Sequence, residues 1–275
     1  MRESIGRWTC LVVSLAMALG VGTQAQAQSA PRTQPLPGKA SLDEVVPAHA
    51  DPRSGSPAHW APPVDDKAAY HTVRLDRLEY QGTGDSEAYV WDAEAWWGND
   101  RHKLWLKTEG EGDWRTGERD HAEVQALYNR MWDDFWDLQV GLRHDIDPHP
   151  SRSYGVFGLQ GLAPYGIDTE ASLFVSERGD TSARLELEYE WLITQRWVLS
   201  PRLEVNASAQ RVDELEIGQG ITTSETGLRL GYDVTRQVSP YVGISWQNTY
   251  GETRRMRDRD EADRFAVVAG ISAWY

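Results

Sequence analysis

A transmembrane antiparallel up-and-down β-barrel of about twelve strands, preceded by a disordered arm, is the fold this 275-residue sequence predicts. Three observations carry it. From Tyr70 onward, segment after segment alternates apolar and polar side chains. The connections between those segments run short and long in turn. The final segment keeps its alternation to an aromatic residue, Tyr275.

Residues 1–27 read as a secretory signal peptide. Arg2 and Arg7 give a basic start, Thr9 to Gly22 is largely apolar, and Ala25 and Ala27 supply the small residues of a cleavage site after Ala27. The apolar run is too short for a membrane helix, which needs about 20 residues. Cleavage there removes Cys10, the single cysteine, so the rest of the chain has neither disulfide nor thiolate ligand. Residues 28–66 hold eight of the 13 prolines, a density that blocks both helix and sheet pairing. We read this stretch as a disordered periplasmic arm, and 67–275 as the barrel.

The clearest strand is Thr181 to Ile193. Ala183, Leu185, Leu187, Tyr189, Trp191 and Ile193 share one face, and Arg184, Glu186, Glu188 and Glu190 share the other. Successive Cβ atoms of a strand point to opposite sides, whereas a helix would scatter those charges. The same arithmetic places strands near 71–80, 88–97, 102–111, 121–132, 136–146, 152–162, 167–176, 182–193, 198–209, 225–234, 239–249 and 264–275. The first and sixth alternate poorly, which points to bulges. Short connections fall at 98–101, 133–135, 163–166, 194–197 and 235–238, and longer ones at 112–120, 210–224 and 250–263. Short periplasmic turns and longer extracellular loops are the habit of outer-membrane barrels, and an even strand count returns both ends to the periplasm. Trp96, Trp97, Trp132, Trp136, Trp191, Trp197 and Tyr275 flank the short turns, as an interfacial girdle requires.

With the apolar faces on lipid, the charged faces line the lumen. This register turns Asp92, Glu94, Glu109, Glu111, Glu123, Asp137, Asp145, Glu170, Glu186, Glu188, Glu190, Glu204, Glu225 and Asp233 inward, against Lys103, Lys107, Arg143, Arg184, Arg202, Arg229 and Arg264. Most must be paired or wet, because an unpaired buried charge is costly. The acid excess and the formal charge of −14 draw cations and disfavour nucleic acid as a partner.

Several segments resemble the copper resistance protein B family: Leu75-Asp76-Arg77-Leu78-Glu79, Leu104-Trp105-Leu106-Lys107-Thr108-Glu109-Gly110-Glu111, Ala122-Glu123-Val124-Gln125-Ala126-Leu127-Tyr128, Phe135-Trp136-Asp137-Leu138-Gln139, Gln160-Gly161-Leu162-Ala163-Pro164-Tyr165 and Ala183-Arg184-Leu185-Glu186. The resemblance implies a Gram-negative outer-membrane protein in contact with lipid. It implies that copper, as Cu(I) or Cu(II), is bound or conducted, with a soluble periplasmic copper protein as a further partner. The family often carries a Met- and His-rich arm. This arm has His49 and His59 but no methionine, so the resemblance shifts copper binding toward the barrel.

One cluster fits Cu(II), which accepts imidazole and carboxylate ligands. His121 opens the fourth strand, and His144, Asp145, Asp147 and His149 close the fifth at the same, extracellular end, with His121 expected opposite Asp147. Met256 in the last long loop is a weaker candidate. The alternative function is a cation-preferring channel without copper specificity. An enzyme is not expected: barrel lipolysis needs a Ser–His pair at the lipid-facing rim, and neither His102 nor His121 has a serine partner in its hairpin.

Overall fold

The computed structural model describes residues 68–84, 86–147, 151–256 and 263–275. The signal-peptide and arm segments, with His49, His59 and His149, lie outside the described residues. Twelve strands follow in chain order: β1 (Tyr70–Gly82), β2 (Glu87–Gly98), β3 (His102–Asp113), β4 (Arg119–Asp133), β5 (Trp136–Asp147), β6 (Arg152–Ala163), β7 (Ile167–Ser176), β8 (Thr181–Tyr189), β9 (Trp197–Ser208), β10 (Gly220–Tyr232), β11 (Val238–Thr249) and β12 (Asp263–Trp274). Trp191–Leu192 carries β8 on past Glu190 and pairs with Leu199 and Val198. Each strand is antiparallel to its neighbours, and β12 pairs with β1, so the barrel closes without an edge. Val73 and Tyr275 exchange both backbone hydrogen bonds at 2.9 Å, extending that seam to the last residue.

The period-two register holds. Along β5, Leu138, Val140 and Leu142 are exposed on the outer face, while Gln139 and Asp145 are buried on the inner one. Strand limits fall within a few residues of expectation except in β10, which starts at Gly220 because Ile221 and Thr223 continue the ladder with Ala207 and Asn206. The loop before it shortens to 209–219, and the one after β3 to 114–118.

The bulge expected in the first strand is present. Register slips between Leu75 and Arg77 against β2, and between Leu75 and Leu78 against β12. Arg74 and Asp76 therefore face the lumen below the slip, and Arg77, Glu79 and Gln81 above it. β6 has no slip, contrary to expectation. Its alternation is weak because Tyr154 and Val156 point inward. With Leu127, Phe174 and Trp105 they form a small apolar cluster inside the barrel, where the sequence reading expected only charge. Arg143 stacks on this cluster, its guanidinium 4.7 Å from the Phe174 ring and 5.3 Å from the Tyr154 ring.

The girdle holds at Trp97, Trp132, Trp191, Trp197 and Tyr275, all exposed. Trp96 is a correction. It shares the inner face with Glu94 and stacks on Trp105 at 6.2 Å, with the Lys103 ammonium 5.8 Å from its ring.

Candidate functional site

The site is the lumen, and its walls follow from strand parity. All fourteen acids and seven bases assigned inward lie on the inner face or in its ion pairs. To them the bulge adds Arg74, Asp76, Arg77 and Glu79.

Among the described residues, a larger and a smaller cavity lie in the lumen. A vestibule of about 690 Å³ opens at the end where β1 begins, the periplasmic end, among Thr72, Arg74, Asp168, Glu188, Glu190, Asp233 and Trp274. Its lining carries eleven carboxylates against seven arginines and lysines. Nearer the extracellular end lies a chamber of about 50 Å³, lined by Gln81, Glu111, His121, Glu225, Gln247 and Arg264 among others.

Around these cavities, ion pairs cross the barrel. Arg184 on β8 reaches Glu109 on β3 at 2.8 Å and Glu123 on β4 at 3.0 Å. Arg229 on β10 holds Glu79 on β1 through Nε at 2.7 Å and Nη2 at 3.1 Å. Arg202 on β9 bonds Glu186 at 2.6 Å and approaches Asp92 on β2 at 3.7 Å. Lys107 meets Glu170 across the lumen, and Arg264 meets Glu111. Strands that are not neighbours are thus tied through the centre. Charge-assisted pairs with several partners are the form in which buried charge is tolerated.

The five residues singled out as metal ligands are distributed as follows. His121 faces the chamber, its Nε2 3.0 Å from Glu123 Oε2. A register slip between Ala122 and Glu123 sets Asp147 opposite Ala122 rather than His121. Arg119 bonds Asp147 at 3.0 Å. Asp145 faces inward and takes Arg143 at 2.6 Å. His144 lies on the outer face, its Nδ1 3.0 Å from Ser153 Oγ. His149 is not among the described residues. Among the described residues no three His, Cys, Asp or Glu side chains converge closely enough to hold a metal ion. The His144–Ser153 pair is the rim-facing Ser–His contact that the sequence reading did not find. Cross-strand pairing of residues 144 and 153 creates it.

The extracellular loop 209–219 is tied down by charge. Glu214 accepts a hydrogen bond from buried Arg152 at 2.8 Å and meets Arg178, while Gly218 donates its N–H to Thr253 Oγ1 at 2.9 Å. The Arg152 hydrogen bond, with Arg178 beside it, holds the Glu214 carboxyl below the usual carboxylate range. A lowered carboxyl pKa gives a contribution that is complete above the unfolded value and is lost as pH falls through the folded one. Acidification below the ordinary carboxylate range should therefore lower the protection of Val212 and Ile217, whose backbones pair across this loop, against hydrogen exchange relative to the intrinsic rate at the same pH. Glu214→Gln should do the same at neutral pH. Unchanged exchange in both cases would mean that the backbone bridge alone fixes the loop.

Comparison with known proteins gives consistent results. The family described as Copper resistance protein B precursor (CopB) matches residues 69–275. A Copper resistance protein B homolog of Pseudomonas syringae pv. tomato is 35% identical over 265 residues, covering 95% of this chain and 85% of that protein. Copper resistance protein B of Escherichia coli is 38% identical over 214 residues, covering 77% and 72%. Among solved structures, the NanC porin aligns with a TM-score of 0.47 at 14% identity, covering 74% of this chain and 99% of that one.

Proposed function

The chain belongs to the copper resistance protein B family, and from that premise we propose that this outer-membrane barrel binds copper ions in its lumen as part of copper resistance. The observation that supports this most is the vestibule, where carboxylates outnumber basic side chains and the opening faces the periplasm. Such a wall raises the local concentration of cations before any specific ligand is met.

Ligand chemistry favours Cu(II) over Cu(I). The inner wall offers carboxylates and the His121 imidazole, which suit Cu(II). The soft thioether that Cu(I) prefers is scarce: the described methionines are Met131 and Met256. His121 is the imidazole that a copper ion in the upper chamber would meet, with Glu109, Glu111 and Glu225 on the same walls. His144, Asp145, Asp147 and His149 remain further candidate ligands. Among the described residues, His144 on the outer face and Asp145 on the inner one do not converge, so an adaptable, moderate-affinity site is the expectation. A soluble periplasmic copper protein would meet the vestibule mouth.

His121→Ala combined with His149→Ala should weaken Cu(II) binding by the purified chain in titration calorimetry. An isotherm identical to that of the parent would remove these imidazoles from the account. The reading as a general cation channel predicts a steady conductance from the unmodified barrel, which the crossing ion pairs oppose.

A further inference from the structure

Arg77 and Glu109 stand out among the lumen residues because they line both cavities. Whatever separates the vestibule from the chamber includes them. Arg77 is 4% exposed, and its guanidinium lies among three carboxylates from three strands: Asp92 on β2, Glu109 on β3 and Glu225 on β10.

Those contacts are loose beside the others in the lattice. They measure 3.3, 3.6 and 3.8 Å. The tightest pairs of Arg143, Arg184, Arg202 and Arg229 lie between 2.6 and 2.8 Å. Arg77 Nε has no hydrogen-bond partner although it is buried. Its Cα adjoins the slip in β1, where the ladder that fixes backbone position is interrupted. The arginine on the shared wall is therefore held more loosely than Arg143, Arg184, Arg202 and Arg229.

We propose that Arg77 is the movable partition of the lumen, and that displacing its side chain joins the two cavities into a path for hydrated cations. The selectivity follows from what remains. Withdrawal of the guanidinium leaves Asp92, Glu109 and Glu225 on the wall of the opened path with one cation fewer among them. Glu109 keeps Arg184 at 2.8 Å, while Asp92 and Glu225 keep only the longer approaches of Arg202 and Arg229, 3.7 and 3.6 Å. A wall made more negative passes cations and repels anions. Arg202 and Arg229 already hold their own close partners, Glu186 and Glu79, so they do not replace it. The inference concerns the shape and charge of the lumen and stands apart from the copper reading, because potassium chloride tests it with no copper present.

The test is conductance across a planar lipid bilayer in a potassium chloride gradient. It uses the full chain from Gln28, the Arg77→Ser variant, and Arg178→Ser, which removes an arginine outside the lumen. Folding of each is checked by heat-modifiable migration on gels. We expect the parent and Arg178→Ser to give no steady current above the bare bilayer. Arg77→Ser should give a stable current whose reversal potential moves toward that of potassium. A folded Arg77→Ser protein as silent as the parent would overturn the proposal, and so would an anion-selective current or a parent that conducts freely. Should Arg77→Ser not fold, Arg77→Lys serves. It keeps the charge on a differently shaped head group, so brief cation-selective openings are expected, and silence from the folded protein would overturn the proposal.

Discussion

Replacing Glu79 with alanine should lower the stability of the folded barrel by about 3–5 kcal/mol, the cost of leaving one partner of a buried ion pair uncompensated. The Glu79 side chain is fully buried, and it accepts Arg229 at 2.7 and 3.1 Å and the Gln81 amide at 2.9 Å. Truncation strands the Arg229 guanidinium in the lumen. Arg229 Nη1 already has no hydrogen-bond partner, and the next carboxylate, Glu225, is 3.6 Å from Nη2. Urea titration of the protein folded in lipid vesicles measures the loss. A second variant, Glu79→Leu with Arg229→Leu, removes both charges together and should recover most of it. If the single variant were as stable as the parent, the cross-barrel pair would not hold the wall.

Placing arginine on the lipid face is the other large effect. Leu142 is 68% exposed on the outer face near the middle of β5. Leu142→Arg should cost about 2–4 kcal/mol, the penalty for a charged side chain at the bilayer midplane of a barrel, falling to about 0–1 kcal/mol near the interfaces. Phe265→Arg, at the extracellular end of β12, is the comparison. Equal costs at the two positions would contradict the depth assigned to β5, and a negligible cost at Leu142 would contradict its outward register. Neighbouring Arg143 carries the same charge without penalty because it faces inward onto Asp145 and Glu123. One step along the strand separates the two outcomes.

The outward and inward faces were legible in the sequence because period two is a local property. Glu186 and Leu187 declare their sides with no knowledge of the rest of the chain. The slip in β1 was harder to place. Arg77, Glu79 and Gln81 alternate cleanly with Leu78 and Tyr80, but joining them to Arg74 and Asp76 needs one extra residue, and only the pairing with β2 and β12 locates it. The apolar cluster escaped for a related reason. Leu173, Phe174 and Val175 form a continuous run, and only parity carried on from Glu170 turns Phe174 inward; that it meets Tyr154 and Val156 there depends on the pairing with β6.

The candidate site was legible as chemistry and not as geometry. An acidic inner face with a few arginines follows from parity, but the partner of each arginine depends on how far the closed barrel brings opposite walls together. Arg184 meets Glu109 across 75 residues of sequence and Arg229 meets Glu79 across 150. No spacing rule predicts those contacts. His144 did carry a signal, since it shares parity with Leu142 and Ile146 and so belongs to the outer face, where Ser153 meets it.

The central claim is that copper is received by the barrel rather than by the segment before it. The most direct measurement is Cu(II) and Cu(I) titration of the refolded chain from Gln28, beside the same protein shortened to begin at Lys67. Cu(II) binding should survive removal of residues 28–66 and exceed Cu(I) binding in both proteins. Binding that disappears with residues 28–66, or that is absent from both, would contradict it.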